Sequence, residues 1–248
     1  MNTPVIDIRG LSLSYGNKRI LTNIFLKMDA GNIYGVIGPN GAGKSSLFKC
    51  ILDLVQYNHG EILIEGSPIE EKKKKIAYVP QKGNVDWTFP ATVRDIVSMG
   101  RYPHLKLFDP FSRSDRKIIN EAMDILDITP LKNRQIGALS GGQQQRVFLA
   151  RALAQNADIF FLDEPFVGVD VTTEEKIINI LKELSAKGKT VVVVHHDLST
   201  VKEYFDKVIL LNQRLIAHGR IEEVFTDENV KNTFSSQLSI LHKSGLKQ

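Results

Sequence analysis

The run Gly38-Pro39-Asn40-Gly41-Ala42-Gly43-Lys44-Ser45 sets three glycines, a lysine and a hydroxyl within one short loop. Glycine lacks a Cβ, so a backbone with glycines at this spacing can curl and turn several N–H groups toward one anion. Lys44 can then reach the β- and γ-oxygens of a nucleoside triphosphate. Ser45 offers a hydroxyl to the Mg²⁺ that bridges those oxygens, and Ser46 extends the cradle. This chemistry needs a strand before the loop and a helix after it. The apolar stretch Ile33 to Ile37 reads as that strand and the amphipathic run Leu47 to Leu54 as that helix, so the full phosphate-loop pattern is present rather than a glycine-rich turn alone.

A second group of residues fits the same chemistry. Ile159 to Glu164 is an apolar strand ending in two carboxylates, where Asp163 can hold Mg²⁺ through water and Glu164 can orient or deprotonate an attacking water. Such an ending is common in isolation and gains weight from the phosphate loop in the same chain. A third group, Leu139 to Arg146, begins 24 residues before Asp163. Ser140 is a good N-cap for a helix through Gln143 to Ala154, and Gly141 and Gly142 leave room for a phosphate at its start.

These residues must be positioned by an alternation of strands and helices. Val5 to Ile8, Ile33 to Ile37, Ile76 to Val79, Ile159 to Asp163, Thr190 to His195 and Val208 to Leu211 read as strands. Ile118, Ile119, Ala122, Ile125 and Leu126, and again Ile177, Ile178, Leu181 and Leu184, recur at helical steps. The chain is therefore α/β. Between about residues 91 and 154 helical patterns run without a clear strand, which predicts a helical insertion within one domain whose core is formed by about 1–90 and 155–248. No internal repeat, heptad array or low-complexity linker is evident.

Composition narrows the class. With 32 Lys and Arg against 28 Asp and Glu, the net charge is +4, and 42% hydrophobic with 24% charged residues is the balance of a soluble globular protein. The longest apolar runs are short, far from the roughly 20 residues that span a bilayer. Met1-Asn2-Thr3-Pro4 has none of the features of a secretory leader, so a cytoplasmic chain is expected. The lone Cys50, set among Leu47, Phe48, Ile51 and Leu52, reads as helix core. Lys72 to Lys75 follow Glu70 and Glu71 and read as a solvated loop; a nucleic-acid partner would need a wider basic surface, so none is expected.

With LSGGQ intact at Leu139 to Gln143 beside the phosphate loop, the sequence resembles the ATP-binding-cassette ATPases along nearly its whole length. The resemblance implies a phosphate-loop nucleotide-binding α/β domain with an inserted helical subdomain and an antiparallel β subdomain. It also implies ATP and Mg²⁺ as ligands. In that family the phosphate loop of one protomer and the signature of another enclose each nucleotide, so this chain, with one copy of each, is expected to form a head-to-tail homodimer with itself or a similar chain.

Other positions carry over one by one. Tyr15 matches the aromatic that stacks on adenine, with a core tyrosine as the alternative. Gln81 matches the glutamine that reaches Mg²⁺ and the water and joins the core to the helical insertion. Asp170 matches the loop aspartate at the dimer interface, although Gly168-Val169 precede it where the family has Ala-Leu. His196 matches the histidine that contacts the γ-phosphate, and His195 stands where threonine is frequent. Neighbours on a strand face opposite ways, so the two histidines are not expected to share a metal ion.

Within the family, a free single cassette without a second cassette, coiled coil or membrane helices resembles the ATPase subunit of a bacterial importer. A separate membrane permease and an extracytoplasmic metal-binding protein are then implied, with the cassette peripheral on the cytoplasmic face. The stretch Val85 to Phe108 resembles the manganese, zinc and iron importers, the manganese branch above all. Its Trp87, Phe89 and Pro90 read as an exposed loop before a helix opened near Thr92, either packing in the core or seating a permease helix. Importers of iron-siderophore, haem or cobalamin, an exporter subunit and a non-transport ATPase are the alternatives.

Overall fold

The computed structural model describes residues 3–106 and 109–234, so Leu107 and Phe108, the end of the importer-like stretch, lie outside the described residues. The elements run β1 (Ile6–Tyr15), β2 (Lys18–Met28), β3 (Ile33–Ile37), α1 (Lys44–Ile51), β4 (His59–Ile64), β5 (Ile76–Val79), α2 (Val93–Ser98) and α3 (Arg113–Ile125). They continue with α4 (Gly141–Gln155), β6 (Ile159–Asp163), α5 (Val171–Ala186), β7 (Thr190–His195), α6 (Val201–Tyr204), β8 (Lys207–Asn212), β9 (Arg214–Arg220) and α7 (Ile221–Val224). The chain divides into two compact units, one of residues 3–72 and 185–234 and the other Lys73–Leu184.

The first unit holds two sheet layers. One is antiparallel, in the order β2-β1-β4. In β2, Leu21, Ile24, Leu26 and Met28 are buried while Asn23, Phe25 and Lys27 are exposed, the alternation of a sheet with one wet face. Gly16, at φ 56, supplies the left-handed backbone that the two-residue connection between Tyr15 and Lys18 requires. In the other layer β3 lies parallel to both β7 and β8, and β9 closes antiparallel on β8. Every residue of β3 and β7 is buried, as in a parallel sheet covered on both faces.

The second unit pairs β5 with β6 in parallel, from Ile76 opposite Ile159 to Val79 opposite Leu162. Between them the regular elements of the described chain are helices. Three helices open on reciprocal capping boxes: Thr92 with Asp95 at α2, Ser112 with Asp115 at α3 and Ser140 with Gln143 at α4. Gly100 lets the turn after α2 lie against α4, since a Cβ there would fall 2.2 Å from the Arg151 carbonyl oxygen. Arg101 clamps the bundle, donating from Nε to Asp115 (2.9 Å) and from Nη1 to the Ala154 carbonyl at the end of α4 (2.9 Å).

Several expectations change. The strand at the amino terminus is ten residues long rather than four; β2-β1-β4 is the antiparallel sheet the resemblance implies, although β2, β4 and β9 are not read as strands from the residue pattern. In β1 the left-handed Gly10 and three register shifts against β2 interrupt the alternation that marks a strand. β4 begins with three exposed residues and β9 has none that is fully buried, so neither shows an apolar run. The helix after the phosphate loop ends at Ile51, leaving Leu54 exposed. The lysine run is unburied, as expected of a solvated segment; Lys73–Lys75 form a short 3₁₀ turn with Lys75 3.9 Å from Asp158. Cys50 is buried in α1, which pushes its thiol up to about 11.

The Asp115 carboxyl is held down to about 2, first by the Ser112 hydroxyl and then by Arg101. Its folded pKa lies below its unfolded value, so the stability it confers is complete above about pH 4 and is lost as pH falls toward 2. Replacing it strands a buried guanidinium. We expect Asp115→Ala to cost roughly 3–5 kcal/mol in denaturant unfolding at neutral pH; a loss below about 1 kcal/mol, the size of an exposed pair, would contradict this.

Candidate functional site

In the first unit the phosphate loop leaves β3 at a position that only glycine can fill. A Cβ on Gly38 would lie 2.0 Å from the Leu211 carbonyl oxygen of β8. Gly41 and Gly43 take φ values of 80 and 95, in the left-handed region that other residues reach only with strain. Ala42 is buried; its N–H donates to Pro39 O (3.1 Å) and its carbonyl accepts from Gln213 N–H (2.8 Å), which fixes the loop to the strand end. Pro39 is buried and Asn40 exposed. Gly43 has no side chain with which to cap α1, so the first N–H groups of the helix gain no side-chain acceptor from the N-cap.

Lys44 is 6% exposed, and its ammonium donates to the carbonyls of Gly38 (2.7 Å) and Pro39 (3.0 Å). The loop's own backbone thus holds the cation at the loop. Ser45 and Ser46 follow, half-buried, on the first turn of α1. Tyr15, at the end of β1, is 50% exposed, which favours a stacking platform over the core alternative.

At the end of β7 the two histidines part company. His195 is buried and its Nε2 lies 2.8 Å from Thr200 Oγ1, whereas His196 is exposed. Burial first, and His196 second, push the His195 pKa down to about 4. No group of three or more His, Cys, Asp or Glu among the described residues could hold a metal ion.

In the second unit β6 is buried along its length, and Asp163 at its end is fully shielded. Glu164 follows in a left-handed conformation, φ 53, which costs a non-glycine residue on the order of 1–3 kcal/mol and fixes where its carboxylate leaves the strand. Gln81, just past the parallel strand β5, donates from Nε2 to Glu164 Oε2 at 2.7 Å. The two carboxylates and the glutamine therefore stand at the carboxyl ends of paired strands. Gln81 and Asp163 in this unit carry oxygen donors of the kind a hard cation takes, and Ser45 of the first unit carries a hydroxyl of the same kind.

The signature segment caps α4 as expected. Ser140 Oγ accepts from Gln143 N–H (3.4 Å) and Gln143 Oε1 accepts from Ser140 N–H (3.0 Å). The glycines have a role inside the chain that the sequence did not disclose. A Cβ on Gly141 would come 2.6 Å from Lys82 Nζ and 3.4 Å from Gly168 O, so Gly141 makes room for a lysine far away in sequence. A Cβ on Gly142 would stand 3.7 Å from Asp170 Oδ2, an ordinary contact. Asp170 itself accepts from Thr173 N–H (2.9 Å) and Thr173 Oγ1 (2.8 Å) at the start of α5.

The loop expected to be exposed at Trp87 to Pro90 divides. Trp87 is half-buried and meets Phe148 of α4 edge-on with centroids 5.3 Å apart, while Phe89 and Pro90 face solvent. An indole that finds both a ring and a hydrogen-bond acceptor packs inward; the Phe89 ring, with no donor to place, is 54% exposed. Beyond Thr92, Ile96 is buried and Met99 half-buried.

The family model for ABC transporters matches residues 21–167. The chain is 46% identical over 240 residues, 97% of its length and 96% of the relative's, to a manganese transport system ATP-binding protein of Halalkalibacterium halodurans. It is also 46% identical to a zinc transport system ATP-binding protein of Treponema pallidum, over 94% of the chain and 88% of the relative. Among solved structures it is similar to a dimeric bacterial ABC transporter cassette, with a TM-score of 0.77, 29% identity, and 87% of this chain and 98% of that one covered.

His195 gives a test of its environment. Its folded pKa of about 4 lies below the ordinary 6.5, so its burial is tolerated fully above pH 6.5 and stability falls as pH drops from there toward 4. The loss amounts to on the order of 3 kcal/mol. We expect His195→Thr to flatten unfolding free energy across that window; an unchanged slope would show that His195 does not set it.

Proposed function

The chain belongs to the ABC transporter family as an ATP-hydrolysing cassette, and from that premise we propose that it is the motor subunit of an importer of divalent metal ions, manganese first and zinc next. The observation that carries the cargo is the likeness to a manganese transport ATP-binding protein along nearly the whole chain. The zinc transport relative keeps zinc as the second reading. No helix among the described residues is long and apolar enough to cross a membrane. In this reading a separate permease forms the pore, and a metal-binding protein delivers the ion on the far side. The cassette works at the cytoplasmic face and does not itself touch the transported ion.

Gly38 to Ser46 hold the phosphates, with Lys44 turned from its carbonyl partners toward the β- and γ-oxygens. Ser45, Gln81 and Asp163 serve the Mg²⁺ ion that accompanies the nucleotide, which neutralises phosphate charge when bound. Glu164 orients the attacking water or takes its proton, and the Gln81 amide fixes the carboxylate for that task. His196 contacts the γ-phosphate and Tyr15 stacks on the base. Most of the rate comes from position and charge rather than covalent participation.

One chain carries one phosphate loop and one signature. Ser140, Gly141, Gly142 and Gln143 therefore complete the site of a second copy, with Asp170 at the interface between copies. The dimeric cassette among the similar structures supports this arrangement. ATP binding closes the pair on the permease, and hydrolysis releases it.

Two tests follow from these roles. Glu164→Gln should keep ATP binding, lose turnover by about 100-fold or more and accumulate closed dimer; a normal rate would remove Glu164 from the chemistry. For the cargo, the permease co-extracted with the chain is reconstituted and uptake measured with Lys44→Ala. Loss of manganese uptake is expected, whereas loss of siderophore, haem or cobalamin uptake with manganese unaffected would overturn the metal reading.

A further inference from the structure

The peptide segment that carries Gln81 is gripped by helix α4 at both ends. On its near side Arg151 Nη2 donates to Tyr78 O at 2.7 Å, and the same guanidinium lies 4.7 Å over the Phe148 ring. On its far side the indole of Trp87 donates from Nε1 to the Lys82 carbonyl at 3.0 Å and rests edge-on against that same Phe148. Gln81 lies between these two grips, one residue before Lys82, with its amide on Glu164. The Lys82 ammonium, for its part, occupies the space left by Gly141 at the first residue of α4.

Helix α4 is a poor place for slack. Val147, Phe148, Leu149 and Ala150 are all buried, and the backbone of Gly137 before the helix is so close to Trp87 that a Cβ there would stand 2.6 Å from the Trp87 carbonyl. A side chain anchored to such a helix is a fixed post. The indole N–H transfers that fixity to the Lys82 carbonyl, and through one peptide unit to the Gln81 amide. Simple packing would need only a ring against Phe148; the hydrogen bond adds direction.

We propose that Trp87 is a positioning residue for hydrolysis: its indole N–H pins the Lys82 carbonyl to α4 and so sets where the Gln81 amide meets the Glu164 carboxylate. The same linkage makes Trp87 report movements of Gln81. This rests on the reading that Gln81 and Glu164 serve the attacking water.

Trp87→Phe keeps a ring for Phe148 and removes only the N–H. We expect kcat to fall about fivefold, the size of one neutral hydrogen bond, with KM for ATP unchanged and the melting temperature lowered by a few degrees at most. Trp87 is the single tryptophan of the chain, so its emission can be read directly in the full-length protein. ATP with Mg²⁺ should shift that emission in Glu164→Gln, and adding Gln81→Ala should abolish the shift while ATP binding persists. A folded Trp87→Phe with unchanged kcat overturns the proposal. If Trp87→Phe does not fold, an emission shift that survives Gln81→Ala overturns it instead. A normal rate in Glu164→Gln removes the premise itself, which separates that failure from the failure of Trp87.

Discussion

A parallel strand buried on both faces can present a charge only at its end. β3, β6 and β7 have no exposed residue between them, so any ionised group along their length would need a partner in a medium that solvates it poorly. The polar chemistry is accordingly placed where these strands stop: the phosphate loop after Ile37, the carboxylates Asp163 and Glu164 at the end of β6, the histidines at the end of β7. Gln81 stands just beyond β5 in the same way. Open α/β sheets hold their ligands at the carboxyl ends of strands for this reason. The backbone conformations follow from it too, since a chain turning sharply off a buried strand needs the left-handed Gly41, Gly43 and Glu164.

What was legible in the sequence was what is contiguous. The phosphate loop, its strand and its helix occupy one run, and each part is recognisable from residue type alone. Ser140 as N-cap was legible because the capping box is a four-residue pattern. The strands Ile33–Ile37, Ile76–Val79, Ile159–Asp163 and Thr190–His195 carried their burial as unbroken apolar runs, and their ends fell where expected. The antiparallel strands did not, because β1 is interrupted at Gly10 and the exposed residues of β4 and β9 show no period.

Contacts between residues distant in sequence were not legible at all. Nothing at Gly141 announces that Lys82 will fill the space above it, and a tryptophan beside a phenylalanine gives no sign of which turns inward. The structure separates them because an indole needs an acceptor as well as a ring, and the Lys82 carbonyl supplies one. The same separation leaves Phe89 exposed on the loop whose Trp87 is tied to the Lys82 carbonyl. The paired histidines divide as neighbours on a strand do, one ring buried and the other exposed.

The proposed paired site makes a second copy of the chain a requirement for catalysis, because the sequence carries one phosphate loop and one signature. The most direct measurement is ATP turnover per chain across a wide dilution series of the purified protein. Paired catalysis predicts that turnover per chain rises with concentration and saturates once dimers form; a constant turnover per chain down to concentrations at which only monomer is present would contradict it.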